Sequence, residues 1–457
     1  MKSLRAGGRL PVLLPGAAEG AASAAVYGYG PLYMRQVLGE PRLTVTTLML
    51  AIAALAWFFA AGAWGRVGDR ARRPLVLVGW ALILSAAVQA ALPFVSGSTA
   101  FIAAVVVWAC LLAAIAPLSV SWLTLQAPDR PAQEAAGFYR MRSVGWTVGS
   151  MGASLLVSLM DLGGIPAAIL ITAGTSAGVG VAVLAALRPK IDTAAGARTR
   201  AGAATSPETG ASREPDPARE AGPRGEPAPP REPGSPGAPE PAREPGSPAG
   251  ASVAAPAERD ARTSGPIWRF HAVSTLAAVI LLTVTGNEAF FAVLGPYLTE
   301  YLAGSLEYVG ISMGVASFLG IVVVGPLGRL ADRWGAERVL MLGCIGYAVM
   351  YGLVAVWRDP LATVILFGLP VFPFMSTGAT GTLARRTPAR RRGEAIGVYE
   401  GTSALAAAVG SVLGGTVADA AGLATVPVMS LLLAVGGLLV AWTRLRPRAL
   451  SAGAGRA

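Results

Sequence analysis

Runs of about twenty apolar residues, separated by short polar loops, recur along the chain and constrain its fold more than any other feature. A helix needs roughly twenty residues to cross about 30 Å of hydrocarbon, and inside lipid it satisfies its own backbone hydrogen bonds. Reading the runs in order predicts helices near 10–33, 45–64, 74–95, 101–123, 137–159 and 165–187, then near 273–298, 309–327, 339–356, 361–383, 395–417 and 426–442. The first, fifth and eleventh are diluted by Gly, Ala and Ser, residues that permit close helix contact, so these three are expected to face the bundle interior. The reading is an all-α membrane protein of about twelve transmembrane helices in two six-helix, pseudo-symmetric halves. Residues 1–187 and 266–445 form the halves, 188–265 a linker and 446–457 a tail.

Hydrophobic residues make up 53% of the 457 and charged residues 14%, a balance that suits lipid better than water as the solvent. The formal charge of +11 is spread through short loops rather than gathered on one soluble face, so a nucleic-acid partner is not expected. Cys110 and Cys344 sit within apolar runs and read as buried fillers, with no metal site and no cofactor. Lys2, Arg5 and Arg9 precede an apolar stretch, as in a signal peptide, but further spans follow at once and the segment reads as an uncleaved first helix. The 188–265 segment, dense in Pro, Ala, Gly, Arg and Glu, repeats Arg-Glu-Pro-Gly-Ser-Pro at 231–236 and 243–248. It is too polar to offset its chain entropy and is expected to be a disordered, solvated spacer.

Basic residues orient the chain. Lys2, Arg5, Arg9, Arg66, Arg70, Arg72, Arg73, Arg130, the linker, Arg329, Arg333, Arg338, the Arg385 to Arg392 cluster, Arg444, Arg446 and Arg448 fall on one side of an even-numbered topology. That side is read as cytoplasmic, with both termini and the linker on it. The other side offers little beyond Arg35, Arg42 and Arg358. The expected location is the cell membrane, multi-pass and lipid-embedded, with the protein a monomer.

Two loops at matched positions repeat a motif. Gly65-Arg66-Val67-Gly68-Asp69-Arg70-Ala71-Arg72-Arg73-Pro74 follows the second helix, and Gly328-Arg329-Leu330-Ala331-Asp332-Arg333-Trp334-Gly335-Ala336-Glu337-Arg338 follows the eighth. They resemble the signature G-x-x-x-D-R-x-G-x-x-R of the major facilitator superfamily, in the loop joining helices two and three. The second copy fits closely; the first lacks the later Gly and is one residue short. A second internal match, Glu134 to Arg140 against Glu394 to Glu400, opens the fifth and eleventh helices, as the superfamily's parallel six-helix repeats would. The segment Tyr139 to Trp146 also looks like the fifth helix of sugar-efflux and sugar-symporter-like members. The resemblance implies that Gly65, Asp69, Arg70, Arg73, Gly328, Asp332, Arg333 and Arg338 gate the outward-facing state without touching substrate. Asp69 or Asp332 would cap a helix and pair with an Arg across the cytoplasmic seam.

Charges at membrane depth are costly and are read as functional. Glu19 lies in the first helix, and Asn287 and Glu288 in the seventh, its counterpart across the duplication. A desolvated carboxylate there can carry a proton. Pro15 and Gly16 are expected to unwind the chain beside Glu19 and hydrate it. Arg140 and Arg142, a turn or less inside the fifth helix, either snorkel to the interface or hold an anion, a sugar hydroxyl or a partner carboxylate. Tyr27, Trp146, Tyr399 and Glu400 complete the proposed substrate and proton cavity, with Tyr29, Phe290, Phe291 and Tyr297 as further aromatics. His271 reads as interfacial. No G-x-x-x-x-G-K-[ST] loop is present, which argues against direct ATP drive.

These residues point to secondary transport of a small organic solute by alternating access, as proton-coupled efflux of drug-like or sugar-like compounds. Proton-linked uptake of a sugar, nucleoside or organic acid is the nearest alternative. A non-transporting receptor or scaffold is the alternative of another class. No catalytic constellation stands at any helix end, so an enzyme is not expected.

Overall fold

The computed structural model describes residues 10–71, 73–126, 131–187, 270–387 and 391–445. The expectations for Lys2, Arg5, Arg9, Arg72, Arg130, the linker 188–265, Arg390 and the tail 446–457 fall outside them, as do the side chains of Asp69 and Glu394. The first half comprises α1 (Leu10–Gln36), α2 (Leu43–Arg70), α3 (Pro74–Ala91), α4 (Ser98–Leu112), α5 (Ile115–Gln126), α6 (Pro131–Met160) and α7 (Gly164–Ala186). The second comprises α8 (His271–Pro296), α9 (Glu307–Trp334), α10 (Ala336–Val356), α11 (Pro360–Phe367), α12 (Val371–Arg386), α13 (Arg392–Ala421) and α14 (Val426–Leu445). The helices α4 and α5 share one crossing, interrupted at Ala113–Ala114; α11 and α12 share another, interrupted at Gly368–Pro370. Twelve crossings result. Ten stretches of the described residues are long and apolar enough to span a bilayer, and one of them, Glu134–Ala186, holds both α6 and α7. The twelfth crossing is α1, whose small residues thin its apolar signal.

Proline and glycine set the helix boundaries. Pro74 and Pro360 occupy first-turn positions, where the missing N–H costs nothing. Asp359 caps α11 by accepting from the Ala362 amide at 2.7 Å. Between α9 and α10 the turn is a single residue, Gly335, at φ 96° and ψ 138°, a region open to Gly and strained for any side chain. The first copy of the loop motif, which lacks this Gly, instead leaves α2 through extended Ala71 and enters α3 at Pro74.

Packing repeats between the halves. The pairs α1 with α6, α3 with α7 and α1 with α7 recur as α8 with α13, α10 with α14 and α8 with α14. Across the halves α2 packs on α13 and α9 on α6, the exchange expected when one six-helix unit is rotated onto the other. The three dilute helices do line these seams. The α1–α6 contact is backbone on backbone: a Cβ on Gly145 would fall on the Ala17 carbonyl, and one on Gly20 on the Arg142 carbonyl. Polar glue holds the first half together as well, because buried Gln89 donates to Thr172 Oγ1 (2.7 Å) and the Ile169 carbonyl (3.2 Å) and accepts from Trp108 Nε1 (3.2 Å).

These contacts predict opposite outcomes for two substitutions in α6. Gly145→Ala forces α1 and α6 apart and should cost about 1–3 kcal/mol, seen as a lower melting temperature in detergent micelles. Gly152→Ala meets no atom within 4 Å and should be neutral or stabilising by up to about 1 kcal/mol. Equal melting temperatures would show that the seam tolerates a methyl group.

Candidate functional site

Glu19, Ser23 and Tyr27 follow one another at four-residue spacing on one face of α1. Glu19 is 0% exposed, so the expectation that Pro15 and Gly16 unwind and hydrate this stretch is not met: α1 is helical through both. The close α1–α6 seam delivers a counter-charge instead. Arg142 Nε stands 2.9 Å from Glu19 Oε1, and the guanidinium carbon lies 5.5 Å from the centre of the Trp57 ring on α2, within cation–π range. Arg142 sits eleven residues past the start of α6, deeper than expected, because α6 begins at Pro131. Of the contacts expected for it, the structure shows the one with a carboxylate. The pairing is a charge contact without an aligned hydrogen bond, since neither Glu19 oxygen has a hydrogen-bond partner among the described residues; Ser23 Oγ has none either. Tyr27 meets Trp108 edge to face at 5.2 Å, and Trp146 is half-buried one turn beyond Arg142. Arg140 is exposed.

The second half treats its carboxylate differently. Tyr351 donates its hydroxyl to Asn287 Oδ1 at 2.9 Å, and Asn287 Nδ2 donates to Glu288 Oε1 at 3.2 Å. Among the described residues Glu288 has no ion pair. Tyr347 stacks on Tyr351 with centroids 6.0 Å apart and planes 5° apart. On α13, Gly410 lets the helix pass close to the Glu288 Cβ. Tyr399 is half-buried, and exposed Glu400 lies near enough to Arg142 and Tyr139 to act on both electrostatically. The structure therefore brings Glu19 and Arg142 into one cluster, and Asn287 and Glu288 into another that sequence alone did not extend to Tyr351.

The matched loops stand apart from both clusters. Arg70, Arg73, Arg333 and Arg338 are exposed, and nothing lies within 4 Å of a Cβ built on Gly65 or Gly328. Asp332, expected to pair across the seam, pairs within its own half: Arg385 Nη2 is 3.5 Å from it and also donates to the Ala331 carbonyl at 2.8 Å. Arg386 likewise pairs with Glu337 at 3.0 Å.

Among the described residues, ion pairs and charged hydrogen bonds that join the halves lie at the opposite end, beside the α1–α2 connection, and of these residues only Arg35 was singled out from the sequence, as a loop charge. Arg35 pairs with Glu300 at 3.0 Å, and Asp419 accepts hydrogen bonds from the start of α2. Ser154 donates to the Glu307 carbonyl at 2.8 Å, and the Gly310 amide to the Tyr29 hydroxyl at 3.0 Å. Arg35, Glu300, Glu307 and Asp419 sit at or just beyond helix ends, where they look like any loop charge.

The sequence matches the Major Facilitator Superfamily over residues 12–372 and again over 276–456. Among curated proteins it is similar to an uncharacterised MFS-type transporter of Mycobacterium tuberculosis, 35% identical over 91 residues, 18% of this chain and 21% of that one. It is also similar to the multidrug efflux pump LfrA of Mycolicibacterium smegmatis, 29% identical over 192 residues, 40% of this chain and 38% of that one. The tetracycline resistance protein, class H, of Pasteurella multocida is 25% identical over 159 residues, 32% of this chain and 38% of that one. The chain thus spans between 21% and 38% of these relatives' length. Among solved structures, the nucleoside transporter NupG superposes with a TM-score of 0.60 at 14% identity, covering 95% of this chain and 98% of that one. A bacterial homolog of the human lysosomal transporter Spinster, inward-facing and occupied, gives 0.65 at 10% identity, covering 96% of each chain.

The ion pair predicts a strongly non-additive stability cycle. Arg142→Met strands a buried carboxylate and should cost about 3–5 kcal/mol, whereas Arg142→Met combined with Glu19→Gln should recover most of that loss. Thermal unfolding of the four proteins in the same detergent measures it; additive losses would mean that Glu19 and Arg142 do not depend on one another.

Proposed function

The chain belongs to the Major Facilitator Superfamily, and we propose that it exports a drug-like organic solute from the cytoplasm by alternating access, coupled to protons carried on Glu288. Membership in a transporter family, with a small-molecule substrate and a lipid-embedded multi-pass body, fits a carrier and not an enzyme. The observation that carries the coupling assignment is the contrast between the two carboxylates. Glu19 has a guanidinium at 2.9 Å, fixed by a backbone-to-backbone seam inside one half, so its charge is balanced whichever way the halves rock. Glu288 has an amide neighbour and no ion pair among the described residues. Such a group is stable as a neutral acid when dry and ionises when water reaches it, which is what a coupling proton requires.

Direction and substrate class draw on two further supports. The names of the relatives LfrA and the class H tetracycline resistance protein favour efflux of drug-like compounds. In the first half the charged pair Glu19 and Arg142 is bordered by aromatic surface, with Trp57 against the guanidinium and Trp108 against Tyr27, as suits an amphiphilic drug-like solute. The basic loops Arg66 to Arg73, Arg329 to Arg338 and Arg385 to Arg391 argue that the α2–α3 end faces the cytoplasm of a cell-membrane protein. On that orientation the contacts of Arg35 and Asp419 close the outer end. Asp69 and Asp332 would then close the cytoplasmic end in the opposite conformer, with Asp332 trading Arg385 for a partner in the first half.

Purified protein in liposomes tests the assignment. Glu288→Gln should abolish solute accumulation driven by a pH gradient while leaving solute exchange at equal pH at least partly intact, because exchange needs no net proton cycle. Glu19→Gln should retain gradient-driven transport better than Glu288→Gln does. Wild-type accumulation by Glu288→Gln would remove the coupling proton from α8.

A further inference from the structure

The start of α2 has no cap of its own. Its N-cap position is Arg42, whose carbonyl accepts from the Val45 and Thr46 amides but whose side chain makes no capping hydrogen bond, which leaves the Leu43 and Thr44 amides to an acceptor from elsewhere. Asp419, in the last turn of α13 in the other half, fills that role. Its Oδ1 accepts from the Leu43 amide at 2.9 Å, and its Oδ2 accepts from the Thr44 amide at 2.8 Å and the Thr44 hydroxyl at 2.6 Å. The approach is close because Gly415, one turn earlier on α13, lies against the Leu43 carbonyl and Thr44.

The connection leading into α2 is tied down by the same half. Arg35 grips both oxygens of Glu300, in the π turn Tyr297–Tyr301 after α8, with Nε at 3.0 and 3.2 Å and Nη2 at 3.0 Å. With Nη1 it donates to the carbonyls of Glu40 and Pro41 in the α1–α2 connection. Gln36 adds a weaker contact to Thr299 at 3.4 Å.

We infer that Asp419 is a latch between the halves: it supplies the missing N-cap of α2 only while this end is closed, so that opening this end uncaps α2 and loosens its first turn. This rests on the alternating-access reading, but not on the identity of the substrate or of the proton carrier. An acceptor lent by a moving partner makes helix integrity conditional on conformation. The loss of a cap of this kind changes an equilibrium by roughly 3- to 30-fold, and here that loss falls on the closed conformer.

The test uses the full chain in nanodiscs, with Cys110→Ser and Cys344→Ala and spin labels at Ser96→Cys and Arg358→Cys, both exposed on this end. Distances between the labels are measured together with amide exchange at Leu43 and Thr44. Asp419→Ala should shift the population toward longer distances by roughly 3- to 30-fold and strip protection from both amides. Asp419→Asn, which keeps a capping oxygen, should lie much nearer wild type. Thr44→Val deletes one of the three hydrogen bonds and should shift distances in the same direction but less, which carries the test if Asp419→Ala fails to insert. Unchanged distances and exchange in Asp419→Ala, or in Thr44→Val where it alone folds, would overturn the latch. Equal shifts in Asp419→Ala and Asp419→Asn would show a charge effect in place of a cap. A single distance in every protein and at every pH would remove alternating access itself, whereas failure of the Glu288→Gln prediction leaves the latch standing.

Discussion

A carboxylate held in hydrocarbon must be paired, protonated or hydrated, and much of this structure follows from how its two deepest acids meet that requirement. For Glu19 the answer is pairing, and pairing needs Arg142 at ion-pair distance from a helix with no room for a long side chain in between. Glycines supply the room by removing side chains from the seam, so that α1 and α6 meet through main-chain atoms and the guanidinium can fold back over Trp57. Composition, helix packing and charge balance are here one arrangement. The small residues that thin the apolar signal of α1 are the ones that allow it to be so fully enclosed.

The second half keeps the same scaffold and changes the chemistry. The contact of α8 with α13 repeats that of α1 with α6, again through glycine, at Gly410 and Gly414. Yet the acid there meets an amide and a chain of tyrosines, and no Arg lies where the repeat would place one. A duplicated frame with unlike occupants gives one half a paired acid and the other an acid with no ion pair among the described residues. Such asymmetry suits a carrier in which one side must hold still while the other titrates.

Much of this was legible in the sequence. Run lengths predicted every crossing, and the loop duplication identified the two halves, because hydrophobic length and repeated motifs are local properties. The polar residues of the clusters were also visible, since a charge inside an apolar run stands out. What could not be read was who meets whom. Arg142 with Glu19, Tyr351 with Asn287 and Asp419 with α2 join residues 123, 64 and 375 apart in sequence for the closest contact of each pair, and no periodicity encodes such distances. The start of α6 was missed for a related reason: its first turn is polar and lies outside the apolar run, so hydropathy placed the helix late and Arg142 too near its end.

The one-residue turn at Gly335 has a mechanical meaning. With no slack between α9 and α10, a tilt of either helix is handed straight to the other, and the pair behaves as a stiff crank. In the first half three residues separate Arg70 from Pro74, enough chain to absorb a tilt of α2 before it reaches α3. Two loops that share a motif thus differ in compliance, and the half with the rigid elbow is the one through which a movement at one end is transmitted with least loss to the other.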